Sequence, residues 1–261
     1  MSKTVIVTGG SSGIGLETAR ALRSAGCKVY TISRRDFSEE GLTHVRCDIT
    51  DEKSVGDAVE AVIKEAGAID ILVNAAGFGI SGAIEFTELS DAKLQFDVNF
   101  FGMVNVNKAV IPHMRERRAG LIVNVSSMAA PVGIPFQAYY SASKAAIDTY
   151  TLSLRNELRP FGVRICSIEP GDIATAFTDV RKKSCAGDEA YNNKIRESVS
   201  RMEKDERNGM SAECAGMKIA KIALKSNPKP IYTIDFISGA EKVLLSILPK
   251  RLSNWIVGKM Y

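Results

Sequence analysis

TVIVTGGSSGIGLETARAL, residues 4–22, runs from an apolar stretch through a glycine-rich turn into a helical pattern. TVIVTG (4–9) is rich in β-branched residues and apolar on both faces, as a strand buried inside a parallel sheet is. Gly9, Gly13 and Gly15 follow with the spacing G-xxx-G-x-G, a variant of G-x-G-x-x-G, and a helix is expected over 14–25. Small residues at such a junction let the backbone turn sharply and approach a pyrophosphate seated against the positive end of the helix. A glycine loop alone is a weak sign, since ordinary strand–helix turns also use glycine. Its place at the first strand–helix junction strengthens it.

Working outward, strand-length apolar runs recur at 28–33, 43–48, 69–77, 120–127, 163–171 and 230–236, separated by helical patterns at 52–66, 89–114, 139–159 and 212–226. Such alternation predicts an α/β fold, a Rossmann-type doubly wound parallel sheet. Nothing divides 1–261 into two domains. The stretch 176–209, after the sixth strand, is charged and poor in strand formers. It reads as a substrate-loop insertion or as a solvated excursion. An apolar extension, 237–261, closes the chain; Leu244, Leu245, Leu248 and Trp255 either pack onto the domain or add apolar surface.

Composition excludes several classes. A net charge of +4 with no Lys/Arg stripe gives no nucleic-acid surface. No apolar run approaches the roughly 20 residues that span a bilayer, and the start shows no leader pattern. The five cysteines form no CxxC pair and, with His44 and His113, no metal-ligand spacing. A cytoplasmic chain without disulfides or metal is expected.

The end of the second strand reads TISRRD (31–36). An acidic residue about 20 positions past the glycines would hold the ribose hydroxyls of NAD. Ser33 stands there instead, with Arg34 and Arg35 after it. A guanidinium suits a 2′-phosphate, so NADP(H) is favoured over NAD(H). Asp36 blunts this a little.

YYSASK (139–144) offers two tyrosines and one lysine. At about 100° per residue, Tyr140 and Lys144 share a helix face whereas Tyr139 looks elsewhere. Together with TGGSSGIG, CDIT (47–50), NAAG (74–77), VNFFG (98–102), NVSS (124–127) and PGDIAT (170–175), YSASK resembles the ordered motif series of the short-chain dehydrogenase/reductase family. The series spans residues 8–175, about two thirds of the chain.

That resemblance implies a set of roles. Tyr140 would be the general acid/base, and Lys144 would favour its phenolate and hold the nicotinamide ribose. Ser127 would hold the substrate oxygen, with Ser126 turned to the other face of the strand, and Asn99 would hold a water relaying protons to Lys144. Cofactor contacts would come from Gly9, Ser11, Ser12, Gly13, Ile14 and Gly15, from Arg34, from Asp48 and Ile49, and from Asn74, Ala75 and Gly77, the last three shaping the wall near the adenine ribose and stabilising the central sheet. Pro170, Gly171, Ile173 and Thr175 would meet the nicotinamide. Many NADP-preferring relatives carry a basic residue where Ser12 stands, which leaves Arg34 as the main phosphate clamp. The implied reaction is hydride transfer between NADP(H) and a carbonyl or secondary alcohol, with reduction of a lipophilic ketone (steroid-, retinoid- or acyl-ketone-like) as the working direction. The rival reading is an NADP-binding membrane-surface or partner-binding protein with little turnover. Peripheral membrane contact is compatible with the apolar extension. Surplus apolar residues on the helices at 89–114 and from Tyr140 predict a homodimer, or a homotetramer built on it.

Overall fold

Seven strands form one parallel sheet: β1 (Thr4–Thr8), β2 (Lys28–Ser33), β3 (Thr43–Arg46), β4 (Ile71–Asn74), β5 (Gly120–Val125), β6 (Val163–Glu169) and β7 (Ile231–Thr233). Their order across the sheet is β7-β6-β5-β4-β1-β2-β3. Val5 stands beside Val29 on one side and beside Ile71 on the other. The winding direction reverses between β1 and β4, and a crevice for a ligand opens there at the carboxyl ends of the strands. These positions come from a computed structural model that describes residues 2–235, 239, 243–245 and 247–260.

The alternation of side chains along each strand builds two cores. Val5, Val7, Ile71 and Val73 point to one face, where α1 (Gly13–Ser24) and a helix over Ala212–Ala223 cover them with Leu22, Ala215 and Ile219. Ile6, Leu72, Ile122 and Ile165 point to the other, beneath α2 (Glu52–Ala66) and two later helices that supply Val59, Val106, Val110 and Leu158. Both faces are therefore dry, which is why the strands read as apolar throughout. The strands are shorter than the apolar runs suggest. Residues 75–77, 126–127 and 170–171 leave the ladder as loops at the crevice, because pairing stops where the site begins.

The helix expected over 89–114 is three pieces. α3 (Leu89–Phe96) passes into a π-helical segment, Asp97–Gly102, before α4 (Met103–Glu116) resumes regular winding. Periodicity cannot reveal one widened turn, and such turns often accompany functional sites. α5 (Ala138–Leu158) follows β5.

The stretch 176–209 is largely ordered into helix: α6 (Phe177–Val180), a short 3₁₀ turn at Asp188–Tyr191 and α7 (Lys194–Asn208). Its few apolar residues gather into a small separate core, where Ile195, Val199 and Met202 meet Ala83. Polar contacts do the rest. Arg181 and Glu206 form a buried ion pair, and Thr178 donates to Glu206 at 2.7 Å. α8 (Ala212–Ala223) then returns to the sheet. In the C-terminal extension, 237, 238, 240–242, 246 and 261 lie outside the described residues. α9 (Lys250–Met260) carries Trp255 exposed, and Leu244 is exposed before it. These two do not pack onto the domain, whereas Leu245 and Leu248 are half-buried. Among the described residues, no helix is long and apolar enough to cross a membrane.

Candidate active site

α5 runs past the carboxyl ends of β4 and β5 and buries Ser141, Lys144, Ile147, Thr151, Leu154 and Leu158, one face at helical spacing. That stripe turns Lys144 inward. Its ammonium donates to the carbonyl of Val125 at 3.0 Å and lies 5.7 Å from the centre of the Tyr140 ring. The Ser126 hydroxyl, on the opposite side of the strand end from Ser127, donates to the Lys144 carbonyl at 3.0 Å and fixes the helix to the sheet. Ser127 and Tyr140 are half-buried at the crevice, while Lys144 and Asn99 are buried behind them. The four thus form two layers, an outer pair that a ligand can reach and an inner pair that supports it.

Asn99 sits inside the π-helical segment. Its amide group donates to the Phe78 carbonyl at 3.0 Å and to the Ser143 hydroxyl at 3.2 Å, while its oxygen accepts from the Phe78 amide at 3.0 Å. The extra residue in the turn aims this side chain across the crevice floor, where it ties the loop after β4 to α5. Gly77 borders the gap beside it. A Cβ there would stand 3.2 Å from the Asn99 oxygen and 3.7 Å from the Lys144 ammonium nitrogen. The expected water relay would have to use that gap, since the Asn99 groups already bind protein directly.

Burial is the largest influence on both titrating groups. It pushes the Tyr140 phenol up to about 12, against a hydrogen bond with Ser127 and the charge of Arg181, which pull it down. It draws the Lys144 ammonium down to about 8, against the nearby Asp148 carboxylate. A phenol held protonated beside an ammonium that is still charged at neutral pH is set to give a proton away, and the ammonium then stabilises the phenolate left behind.

The cofactor-side residues surround the crevice mouth. Gly9 has φ +66° and Gly13 φ +53°; a Cβ on Gly9 would lie 2.8 Å from the Ala76 backbone, and one on Gly15 would lie 2.3 Å from the Gly9 carbonyl oxygen. The loop can close only as glycine. Thr8 accepts from the amides of Ala75 and Ala76 at 3.1 and 3.2 Å, which binds the glycine loop to the NAAG turn. At the start of α1 the Ser12 side chain makes no capping bond and no carboxylate occupies the first turn, so the helix amides remain open to an anion. Ser11 and Ile14 are half-buried in the same turn. A dinucleotide fits this cradle.

Arg34 is exposed at the end of β2, near Asp48. Burial pushes the Asp48 carboxyl up, but hydrogen bonds from the Thr50 amide and hydroxyl, with Arg34 close by, outweigh it and hold it below its usual range. The Pro170 carbonyl accepts from the Met128 amide at 2.9 Å, joining the PGDIAT turn to Ser127. Ile173 pairs with Met210, and Thr175 accepts from the Phe177 amide at 3.1 Å. Gly171 lies half-buried between them.

Two of the expected contacts are buried, and Asn74 has the sheet-stabilising role expected of it. Asn74 is buried, and its amide donates to Asn107 at 2.8 Å and Asn124 at 2.9 Å; it joins β4 to α4 and β5. Ile49 is buried against Gly102. In Asn74, the polar group serves the sheet, because β4 is central and buried on both faces.

Three neighbours of the Tyr140–Lys144 pair were not expected from the sequence. Phe177 packs tilted against Tyr140 at 5.8 Å between ring centres, and the Arg181 guanidinium lies 5.4 Å from the Phe177 ring. Asp148, one turn beyond Lys144, accepts from Ser167 at 2.5 Å; burial and the neighbouring Glu169 push its carboxyl up to about 6, against hydrogen bonds from Ser167 and Ser126. The i+4 spacing from Lys144 would have flagged Asp148. Nothing in the local sequence points to Phe177 or Arg181.

Comparison with known proteins identifies the family. Residues 3–186 match the family model for short chain dehydrogenases. The 3-ketodihydrosphingosine reductase of Bacteroides thetaiotaomicron is 41% identical over 227 residues, which cover 86% of this chain and 84% of that one. A short-chain dehydrogenase from Streptomyces avermitilis superposes with a TM-score of 0.83 at 26% identity, covering 98% of this chain and 96% of its own. The NADP-bound protein ElxO superposes with a TM-score of 0.74 at 26% identity, over 90% of this chain and 98% of its own.

Proposed function

The chain belongs to the short-chain dehydrogenase family, and we propose that it reduces a lipophilic ketone with NADPH. The observation that carries this reading is the placement of Tyr140 over the buried ammonium of Lys144, 5.7 Å from its ring centre, at the open end of the crevice. Bound in the cradle, the reduced nicotinamide would supply the hydride. Ser127 and Tyr140 orient the carbonyl oxygen, and Tyr140 delivers a proton to it as negative charge develops. Lys144 stabilises the phenolate so formed, and Asn99 fixes the loop and helix that hold both.

NADPH rather than NADH follows from Arg34 and from the absence of a carboxylate at Ser33. A lipophilic substrate is supported by Phe177 against Tyr140, by the helical cover over 176–209, and by likeness to a protein named for reducing a long-chain keto lipid. A homodimer through α4 and α5 is supported by exposed Phe101 and Leu152 on those helices' side of the molecule. A cytoplasmic setting fits a chain with unpaired cysteines. A panel of ketones, with 3-keto long-chain bases among steroid and retinoid carbonyls, assayed with NADPH and NADH through loss of nicotinamide absorbance, tests the reading. Turnover of long-chain ketones with NADPH supports it; oxidation of neither cofactor by any carbonyl would sink it.

A further inference from the structure

Several of the large apolar side chains exposed on the molecule are concentrated at its carboxyl end: Val243, Leu244, Ile247, Leu252, Trp255 and Met260. The described residues of α9 bury only Ser253 and Val257, which lie one turn apart and define its inner stripe. At 100° per residue the direction opposite that stripe is occupied by Trp255. Arg251 and Lys259 stand one turn before and one turn after it, and Leu252 lies beside them. An outward row of cation, tryptophan and cation is the arrangement suited to the boundary between lipid headgroups and acyl chains. There the indole sits at the headgroup level while the long basic stems keep their charge among phosphates.

The charge pattern selects the partner. From Val243 to Met260 the sequence holds three cations, Lys250, Arg251 and Lys259, and no Asp or Glu. A second protein copy would bring the same three cations to the contact, whereas an anionic bilayer neutralises them. The helix is too short to span a membrane, so it would lie in the surface. We propose that the segment 243–260 docks this protein on anionic lipid membranes, with Trp255 as the inserted anchor. Its position suits a reductase of lipids, because Arg201 of α7, the helix over the active site, donates to the Met260 carbonyl. The docking itself does not depend on the proposed reaction.

The chain contains a single tryptophan, so its emission reports this helix alone. Titrating the full chain with phosphatidylglycerol-containing vesicles should shift Trp255 emission to the blue and carry the protein down with the lipid. Partition onto pure phosphatidylcholine should be at least about tenfold weaker. The double variant Arg251→Glu, Lys259→Glu should lose the anionic preference yet reduce a water-soluble ketone at the wild-type rate, a readout that also separates docking from the catalytic reading. Unchanged emission and no sedimentation with anionic vesicles would overturn the proposal. So would a blue shift that follows protein concentration without lipid, since it would assign the face to a second copy.

Discussion

The crevice wall formed by β1, β4 and the glycine loop, and the helical cover formed by α6 and α7, which reaches Tyr140 through Phe177, are held by different means. The wall is fixed by backbone. Gly9 and Gly15 admit no side chain, Thr8 binds two amides of the next turn, and the strands beneath are buried on both faces. The cover leans on side chains, with one short backbone pairing of Lys182 and Lys183 to Ile80 and Ser81. Its apolar core is small, and ion pairs such as Arg181–Glu206, Lys183–Glu203 and Arg207–Asp179 add to it. A part that must present fixed amides to a cofactor gains from rigidity, whereas one that must admit a bulky substrate gains from contacts that can part and re-form.

Arg181→Met probes that contrast most severely. The Arg181 side chain is almost wholly buried, and its loss leaves the largely buried Glu206 carboxylate with the Thr178 hydroxyl but without its cation. Breaking such a pair costs about 3 kcal/mol or more. Hydrogen exchange should accelerate across α7 and leave β1 and β4 protected, with NADPH affinity unchanged. Uniform loss of protection over both regions would mean that cover and wall unfold together. On the wall side, Arg34→Ala should weaken NADPH binding by about 1.5–3 kcal/mol and leave NADH nearly unaffected, measured by titration calorimetry. Equal weakening of both cofactors would remove Arg34 from the phosphate.

Asp148 gives a smaller effect with a definite sign. Its carboxyl is raised from 3.8 to about 6, so the folded state holds a proton that the unfolded state releases. The group stabilises the fold below about pH 4, and that contribution is lost as pH rises through about 6. Asp148→Asn should therefore be more stable than the wild type at pH 7, by about 1–3 kcal/mol. The two should converge toward pH 4 in urea titrations. A gap that does not change with pH would place the effect in packing. Tyr139→Phe should be smallest, changing turnover by less than about twofold, because that ring carries no part of the Lys144 cluster.

How much of this was readable from residues alone follows the same division. The strand–helix alternation of a doubly wound sheet, the glycine loop and the Tyr140–Lys144 face are local matters of period and spacing, and all three are legible in the residues. A sheet-stabilising role for Asn74 was expected, but its partners Asn107 and Asn124 were not, because they come from elements 33 and 50 positions away. The widened turn at Asn99 leaves no mark in an apolar pattern. Arg181 was invisible for a different reason: it pairs with Glu206 25 positions away, and a charged, loop-like stretch gives no period from which to infer burial.

The account rests on Tyr140 as the proton donor, and a single-turnover experiment isolates it. Wild type and Tyr140→Phe, each saturated with NADPH, are mixed with a ketone that the wild type reduces, and cofactor absorbance is followed. The account predicts that the variant binds NADPH as tightly as the wild type but oxidises it about 10²–10⁴ times more slowly. A variant that consumes NADPH at the wild-type rate would show that the proton comes from elsewhere and would contradict it.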